Sequence, residues 1–269
     1  MELSRYLEYF NGTTDLCYLE LHYQRFLATQ QLAYESWEWD RADVLDVGAH
    51  WLHQSVLYAL DGHHVTAADL AITFDDPAVR KIASTHDIRL LTCEDLSAEA
   101  AFDELEDDSM DVVLFCEILE HLTFNPIAMW KAIYRVLRPG GRIILTTPNH
   151  YALSAVSRQI PRFLSGWGSG ISVSDILHVP THSPHWKEFS RKELRRYFDL
   201  LSPDFSVRKL HYRSFRTDTR HPNWKGKLVH DWRNLIPVLR NGLYAEVDLP
   251  SKLAGISIKP DWTRGPARD

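Results

Sequence analysis

The stretch Ala42-Asp43-Val44-Leu45-Asp46-Val47-Gly48-Ala49-His50 decides the fold of this chain. A short apolar run with a central acid ends at a glycine, and a helical pattern follows within three residues. Glycine lets a ligand approach the backbone closely, and the N–H groups at the start of a helix bind polar groups. The stretch therefore predicts a strand, a turn and a helix around an adenine-containing ligand.

The rest of the chain repeats this alternation of strands and helices. The predicted strands are Val44–Val47, Val65–Asp69, Ile88–Thr92, Met110–Cys116, Arg142–Thr147, Phe205–Leu210 and Leu253–Ile258. Predicted helices lie before the first strand, between strands, after the capping box of Ser190 and Glu193, and from Leu228 to Leu239. The helix after Gly48 is expected to carry Leu52, Val56 and Leu60 on one face. Such an alternation predicts a doubly wound α/β sheet, mainly parallel, with helices on both faces.

Three segments follow from this pattern. Residues 1–40 are expected to form an N-terminal helical segment, and residues 41–148 a ligand-binding core. Residues 149–269 complete the sheet, with insertions at 149–189 and 211–250 that are expected to cover the substrate. Residues 149–189 in particular show no clear periodicity, which is typical of a lid or a binding loop.

Composition bounds the class of protein. The chain has 269 residues, 45% of them hydrophobic and 25% charged, and a formal net charge of -6. This charge argues against a protein built to coat nucleic acid. The cysteines Cys17, Cys93 and Cys116 are odd in number and widely spaced, which indicates a reducing compartment rather than a disulfide framework. No apolar run is long enough to span a membrane, so we expect a cytoplasmic protein.

Acids follow three of the predicted strands. Asp69 ends the second strand, Asp95 follows the third, and Glu117 follows the fourth. The carboxyl ends of parallel strands surround one crevice, and a carboxylate at the second strand suits the two hydroxyls of a ribose. The three acids together predict a nucleoside site.

Five segments resemble the class I S-adenosylmethionine-dependent methyltransferases over roughly residues 40–150. They are Val44-Leu45-Asp46-Val47-Gly48, Ala68-Asp69-Leu70, Glu94-Asp95-Leu96, Asp111-Val112-Val113-Leu114-Phe115-Cys116-Glu117-Ile118-Leu119-Glu120-His121-Leu122 and Arg135-Val136-Leu137-Arg138-Pro139-Gly140-Gly141. The resemblance implies a Rossmann-like sheet of seven strands and S-adenosyl-L-methionine as cofactor.

The resemblance also implies a role for each matching residue. The methionine part of the cofactor would lie against Gly48 and its neighbours, the ribose at Asp69, and the adenine at Asp95 and Leu96. Cys116 and Glu117 would lie near the sulfonium. The cofactor-binding residues are thus expected to be Asp46, Gly48, Ala49, His50, Asp69, Leu70, Asp95, Leu96, Cys116, Glu117 and His121.

The loop Gly48-Ala49-His50-Trp51-Leu52-His53 departs from two glycine-rich patterns. It lacks the second and third glycines of a dinucleotide site, which makes a dinucleotide the less favoured cofactor. It also lacks the further small residues of the usual methyltransferase loop. A degenerate domain that acts as a binding or interaction protein is therefore the alternative to an enzyme.

Methyl transfer to a hydroxyl requires a group that removes the proton of the nucleophile, and histidine is the natural base near neutral pH. His185 is the first candidate, because Thr181-His182-Ser183-Pro184-His185-Trp186-Lys187-Glu188-Phe189 resembles a segment of the ubiquinone-biosynthesis O-methyltransferases. His150, directly after the fifth strand, is the second candidate.

Glu117, Glu120 and His121 are spaced to share one face of a helix, where they could hold a divalent metal. Similar Glu-His-Leu runs occur in methyltransferases without a metal. We therefore assign no metal ligand and interpret His121 as a residue that shapes the cofactor site.

The sequence predicts methylation of a small-molecule or sugar acceptor on oxygen, with an N-methyltransferase as an alternative. Nucleic acid is not an expected partner, and a homodimer is compatible with the sequence. A basic run with interleaved aromatic residues could grip an anionic or sugar-bearing acceptor; its cations are Arg213, Arg216, Arg220, Lys225 and Lys227.

Overall fold

A seven-stranded sheet forms the centre of the computed structural model, which describes residues 2–11, 16–152, 171–180, 183–214 and 235–261, with Leu164 and Thr263. The strands are β1 (Asp43–Val47), β2 (His64–Asp69), β3 (Arg89–Thr92), β4 (Met110–Cys116), β5 (Leu137–Pro148), β6 (Ser206–Arg213) and β7 (Gly242–Leu249). Their order is β3-β2-β1-β4-β5-β7-β6. Among these strands only β7 runs opposite to the other six, so the predicted seven-stranded, mainly parallel sheet is confirmed.

Helices cover both faces of the sheet. They are α1 (Leu3–Glu8), α2 (Leu16–Tyr34), α3 (Ser55–Leu60), α4 (Ala71–Phe74), α5 (Pro77–Thr85), α6 (Ile127–Val136), α7 (Val173–His178) and α8 (Arg191–Leu201). The predicted capping box is present at α8, where Ser190 and Glu193 each accept a main-chain N–H of the other. The predicted N-terminal helical segment corresponds to α1 and α2.

Two buried clusters follow from the alternation of side chains along the strands. On one face, Trp130 of α6 and Phe198 of α8 pack against strand residues such as Phe115. On the other face, the buried cluster contains Tyr23 of α2 and Tyr58 of α3. The sheet is therefore buried on both sides, and its strand ends are left to form a site.

The last strand differs from the sequence prediction. Leu253–Ile258 is irregular, whereas Gly242–Leu249 forms β7 inside the sheet. The apolar residues Leu243, Ala245, Val247 and Leu249 alternate along β7, and the two acids between them are paired. Arg142 donates to Asp248 at 2.6 Å, and Lys209 lies 3.0 Å from Glu246. Residues 211–213 of β6 and 242–249 of β7 are accordingly strands of the sheet and not part of the covering insertion predicted at 211–250.

Two predicted helical stretches also differ. The helix after Gly48 begins at Ser55 rather than Leu52, because His50 and Leu52 have φ of +51° and +66° and cannot continue a right-handed helix. In the stretch that carries Glu117, Glu120 and His121, only Leu119–His121 is helical, as one 3-10 turn.

Some predictions fall outside the described residues. They are the helix at 228–234, the cations Arg216, Arg220, Lys225 and Lys227, and much of the segment 149–189. The described remainder of the predicted late helix is a 3-10 turn, Pro237–Leu239. Among the described residues, no helix combines the length and the apolar character needed to cross a bilayer.

Candidate active site

The turn after β1 forms the floor of the site. Gly48 has φ of +72°, and its N–H donates to the carbonyl oxygen of Ala68 on β2 at 2.9 Å. A Cβ at Gly48 would lie 2.1 Å from Cδ1 of Ile118, so a side chain there would collide with the segment after β4. The strand order reverses between β1 and β4, where parallel α/β sheets open a ligand crevice.

Asp46 lies beneath this turn. Its side chain is buried, and Oδ2 accepts a 2.6 Å hydrogen bond from the hydroxyl of Ser55 at the start of α3. Burial raises the pKa of Asp46 to about 7, and the negative charge of Asp69 acts in the same direction. Ala49 is also buried, and its N–H donates to the carbonyl oxygen of Ala68 at 3.3 Å. Asp46 thus supports the turn from below, and its predicted contact with a cofactor stays a prediction.

Asp69 joins the end of β2 to the turn. Its Oδ2 accepts a 2.6 Å hydrogen bond from the main-chain N–H of His50. Its Oδ1 accepts from the N–H of Leu70 at 2.7 Å and from the hydroxyl of Thr73 at 3.2 Å. The carboxylate is therefore fixed in place at the crevice, beside the glycine turn, as the sequence predicts.

Asp95 and Leu96, predicted for the adenine, follow β3, and Cys116, predicted to lie near the sulfonium, ends β4. Asp95 is exposed, and the hydroxyl and N–H of Ser97 donate to it and lower its pKa. Leu96 packs against the core. Burial raises the pKa of the Cys116 thiol, with a further contribution from Asp46, so Cys116 is a neutral side chain and not a nucleophile.

An ion pair at the end of β4 was missed by sequence reasoning. Nη1 of Arg25, on the buried side of α2, lies 3.4 Å from Oε2 of Glu117. Burial disfavours the charged guanidinium, but the charge of Glu117 and the hydroxyl of Tyr18 raise the pKa of Arg25 above its usual value. Glu117 has φ of +59°, a conformation that is rare for a residue with a side chain and is often found at functional sites.

The bulky residues of the loop after Gly48 pack against α2. The ring of Tyr18 contacts His50 and His53, with centroid distances of 5.5 Å and 5.9 Å, and also contacts Trp51. Burial lowers the pKa of His53 to about 3, so its ring is neutral near pH 7. Contacts with α2 thus accommodate the bulky side chains of this loop.

A second group of polar residues lies on the other side of Glu117. Glu120 is fully buried, and its Oε2 accepts a 2.9 Å hydrogen bond from the hydroxyl of Thr147 on β5. Within the described part of the chain, its Oε1 has no hydrogen-bond partner. Burial raises the pKa of Glu120 well above its usual value, and the charge of Glu117 adds to this effect.

His121 and His185 complete this group. Their rings form an edge-to-face pair with a centroid distance of 4.9 Å. Nδ1 of His121 lies 3.2 Å from the carbonyl oxygen of Pro184, and Nε2 lies 3.9 Å from Oε1 of Glu120. One ligand atom from each of Glu120, His121 and His185 lies within 4.8 Å of the other two. The residues brought together thus include His185 in place of the predicted Glu117.

The segment around His185 is held at the end of β4 and β5. Nδ1 of His185 lies 3.4 Å from Oε1 of Glu188, and the imidazole is 43% exposed. The N–H of His150 donates to the carbonyl oxygen of Phe189 at 3.0 Å. Both predicted histidines therefore belong to chain segments that meet at the same edge of the sheet, and His185 has a carboxylate to orient it.

The basic run predicted to grip the acceptor is described only at its first residue, Arg213, the last residue of β6. The other members of the run lie outside the described residues.

Comparison with known proteins agrees with this geometry. Residues 45–145 match the model of a family described as a methyltransferase domain. A ubiquinone biosynthesis O-methyltransferase of Xanthomonas oryzae pv. oryzae is 36% identical over 160 residues. That alignment covers 55% of this chain and 56% of the relative, so the chain spans little more than half the length of the curated relatives it matches.

Solved structures share the fold at low sequence identity. A phosphoethanolamine N-methyltransferase of Haemonchus contortus in complex with S-adenosyl-L-methionine gives a TM-score of 0.55 at 16% identity, covering 93% of this chain and 57% of that one. A 1,6-didemethyltoxoflavin-N1-methyltransferase of Burkholderia thailandensis gives 0.53 at 18% identity, covering 93% and 87%.

Proposed function

Residues 45–145 form a class I, S-adenosylmethionine-dependent methyltransferase domain, and from this premise we propose that the chain methylates an oxygen atom of a small-molecule or glycan acceptor. One observation carries the proposal. The glycine turn after β1 faces the fixed carboxylate of Asp69 at the end of β2, at the point where the strand order reverses. Backbone and carboxylate are thus available together for a nucleoside and its attached amino acid.

The described residues fit S-adenosyl-L-methionine in their charges. Its ribose hydroxyls can donate hydrogen bonds to a carboxylate such as that of Asp69. Its methionine part carries an ammonium and a carboxylate, and Glu117 and Arg25 offer one opposite charge to each. Oε1 of Glu117 is buried and has no hydrogen-bond partner within the described residues, which suits a cationic group of a ligand.

The bound cofactor supplies an electrophilic methyl group on a positively charged sulfur. The chain must then hold the acceptor in line with that methyl group and remove the proton of the attacking hydroxyl. We assign the removal of this proton to His185, which lies at the edge of the crevice with Glu188 near its Nδ1. Glu188 would keep Nδ1 protonated, so that Nε2 faces the hydroxyl as the base. His150 is the second candidate for this role.

Methylation on oxygen is supported by the relative from Xanthomonas oryzae pv. oryzae, which is named an O-methyltransferase. Methylation on nitrogen is the alternative, because two structural neighbours are named N-methyltransferases.

A metal-assisted reaction is a second candidate, favoured by the orphaned Oε1 of Glu120. A divalent cation held by Glu120, His121 and His185 would satisfy this buried oxygen. A carboxylate oxygen can bind either Mg²⁺ or Zn²⁺, whereas an imidazole nitrogen is a typical ligand of Zn²⁺. The two imidazoles therefore favour Zn²⁺. A bound cation would lower the pKa of an acceptor hydroxyl. In that case His185 would be a ligand and not the base.

Calorimetry with S-adenosylhomocysteine, the demethylated cofactor, tests the proposal directly. We expect Asp69→Ala to weaken binding by about tenfold, the cost of losing one or two hydrogen bonds to a charged group. Asp75→Ala is the control, because Asp75 is an exposed acid whose carboxylate pairs with Arg80 on the surface. If the unaltered chain does not bind the compound at high micromolar concentration, the degenerate, non-catalytic alternative is the better interpretation.

A further inference from the structure

A basic groove of about 430 Å³ lies between α8 and the edge strand β6. Five of the residues that line it are cationic, and none of its described lining residues is acidic; the five are Arg191, Arg195, Arg208, Lys209 and Arg240. The groove is separated from β1 by β4, β5 and β7, so it lies outside the cofactor crevice. In a chain with a net charge of -6, this concentration of positive charge requires an explanation.

Two of these cations are compensated by neighbouring acids. Arg208 lies 3.4 Å from Glu38 and 3.6 Å from Asp248. Lys209 lies 3.5 Å from Glu35 and 3.0 Å from Glu246. These pairs lie within the sheet and between the sheet and the segment that follows α2. They leave the arginines of α8 as the cations of the groove without an acidic partner among the described residues.

The arginines of α8 are not neutralised in this way. Within the described residues, neither Arg191 nor Arg195 forms an ion pair, and both side chains are exposed and line the groove. They are one helical turn apart and therefore lie on the same face of α8. Like charges at this spacing repel each other, and an anion between them would remove that cost.

Tyr212 of β6 organises the groove. The guanidinium of Arg191 lies over its ring, 5.7 Å from the centroid. Nη1 of Arg240 donates to its carbonyl oxygen at 3.2 Å. Two guanidinium groups from distant parts of the chain are thus placed around one residue, so less entropy is lost when a ligand binds both.

The first turn of α8 is an unfavourable place for Arg191. A helix N-terminus carries partial positive charge, which favours acids and disfavours arginines in the first turns. The capping box of Ser190 and Glu193 already uses main-chain N–H groups at this end. A bound anion would therefore be held by the side chains of α8 and not by its N-terminus.

We propose that this basic groove binds a phosphate-bearing ligand, with a phosphate or diphosphate group held by Arg191, Arg195 and Arg240. Guanidinium groups match phosphate oxygens with two parallel hydrogen bonds, which a lysine cannot provide. The volume of the groove is that of a small-ligand site. The site is distinct from the methyl-transfer site and does not depend on the proposed reaction.

Pyrophosphate binding to the full chain, measured by calorimetry at constant ionic strength, tests the proposal. We expect Arg195→Glu to weaken the affinity by at least about tenfold, since a charge-assisted contact is replaced by repulsion. Arg196→Glu is the matched control, because Arg196 is exposed on the same helix and does not line the groove. We expect it to change the affinity by less than about twofold.

The phosphate group can belong to a soluble metabolite or to a lipid headgroup, and a second arm separates these sources. Sedimentation with phosphatidylglycerol vesicles, competed by pyrophosphate and lost in Arg195→Glu, would indicate a lipid; binding of pyrophosphate alone would indicate a soluble ligand. Vesicles of phosphatidylcholine serve as the neutral control.

Two results would overturn the proposal. One is the absence of pyrophosphate binding at millimolar concentration, and the other is equal weakening by the Arg195 and Arg196 variants. The affinity of each variant for S-adenosylhomocysteine should equal that of the unaltered chain, which confirms that the fold is retained. Arg191→Gln provides a second variant with the same expectation as Arg195→Glu.

Discussion

The main-chain N–H of Trp186 donates a 2.7 Å hydrogen bond to the carbonyl oxygen of Glu120. This contact joins the segment that precedes α8 to the 3-10 turn after β4. As a result, His185 lies against the ring of His121. A residue late in the chain thereby reaches the crevice formed by the first half of the sheet, and the two parts act as one site.

Replacement of His185 tests its proposed role as the base. We expect His185→Ala to lower kcat by about a hundredfold, the typical contribution of a general base, while the affinity for S-adenosylhomocysteine is unchanged. His178→Ala is a suitable control, because His178 is exposed on α7 and its Nδ1 contacts Ser174 of the same helix. Steady-state kinetics and calorimetry on the two variants provide the measurement. Normal turnover of the His185→Ala variant would remove this residue from the mechanism.

Metal removal separates the two candidate roles of His185. If Glu120, His121 and His185 hold a cation, we expect chelation to lower turnover and added Zn²⁺ or Mg²⁺ to restore it. Glu120→Gln should then abolish the response to added metal, because the orphaned carboxylate oxygen is replaced by a neutral group. Turnover that is unaffected by prolonged chelation, with no metal detected by elemental analysis, would leave His185 as the base.

Two glycines with similar backbone conformations allow a matched comparison. Gly48 and Gly140 have φ of +72° and +85°, so alanine is strained at both, by about 1 kcal/mol. Only at Gly48 does the new Cβ meet another residue, Ile118; at Gly140 no described atom lies within 4 Å. We expect both variants to lose stability from backbone strain, and Gly48→Ala to lose more because its Cβ collides with Ile118. We expect only Gly48→Ala to lose at least about tenfold in affinity for S-adenosylhomocysteine. Similar affinities in the two variants would show that the turn after β1 does not contact the cofactor.

The regular parts of the fold follow from local patterns in the sequence. The strands β1, β2 and β4 were predicted within one residue at each end, because their apolar runs end at glycine or at an acid. The capping box at Ser190 is equally local. By contrast, β7 was not predicted, although Leu243, Ala245, Val247 and Leu249 alternate along it. Glu246 and Asp248 lie on its other face, and their partners, Lys209 and Arg142, lie on other strands. Charge compensation across a sheet cannot be read from spacing along one strand.

The candidate site also contains residues that local sequence patterns predict and residues that they do not. Gly48 and Asp69 were predicted because they lie where β1 and β2 end, and the N–H of His50 joins the turn at Gly48 to Asp69. Their contact with a cofactor stays a prediction. Arg25 was missed, since its partner Glu117 is distant in the chain. A single charged residue near the apolar face of a helix does not by itself indicate an ion pair. Glu117 was expected to lie on a helix with Glu120, but its positive φ turns its carboxylate towards α2 instead.

The buried carboxyl group of Asp46 makes a prediction about pH. Burial raises its pKa to about 7, from an ordinary value of 3.8, so between these values the folded chain holds a proton that the unfolded chain has lost. The folded state therefore loses stability as the pH rises through this window, and the loss is complete above about pH 7.

The Asp46→Asn variant lacks the titrating carboxyl group but keeps an oxygen that can accept a hydrogen bond from the hydroxyl of Ser55. We compare the free energy of unfolding of the variant with that of the unaltered chain, measured in urea at about pH 4.5 and about pH 8. We expect this difference to shift by about 2–3 kcal/mol in favour of the variant from the lower to the higher pH. Asp75→Asn, at an exposed acid, should show a difference below about 0.5 kcal/mol, since surface ion pairs contribute little. An Asp46→Asn variant with the same relative stability at both pH values would mean that Asp46 is already ionised in the folded chain. Because Asp46 supports the turn at Gly48, ionisation there would place a full negative charge directly beneath the proposed cofactor crevice.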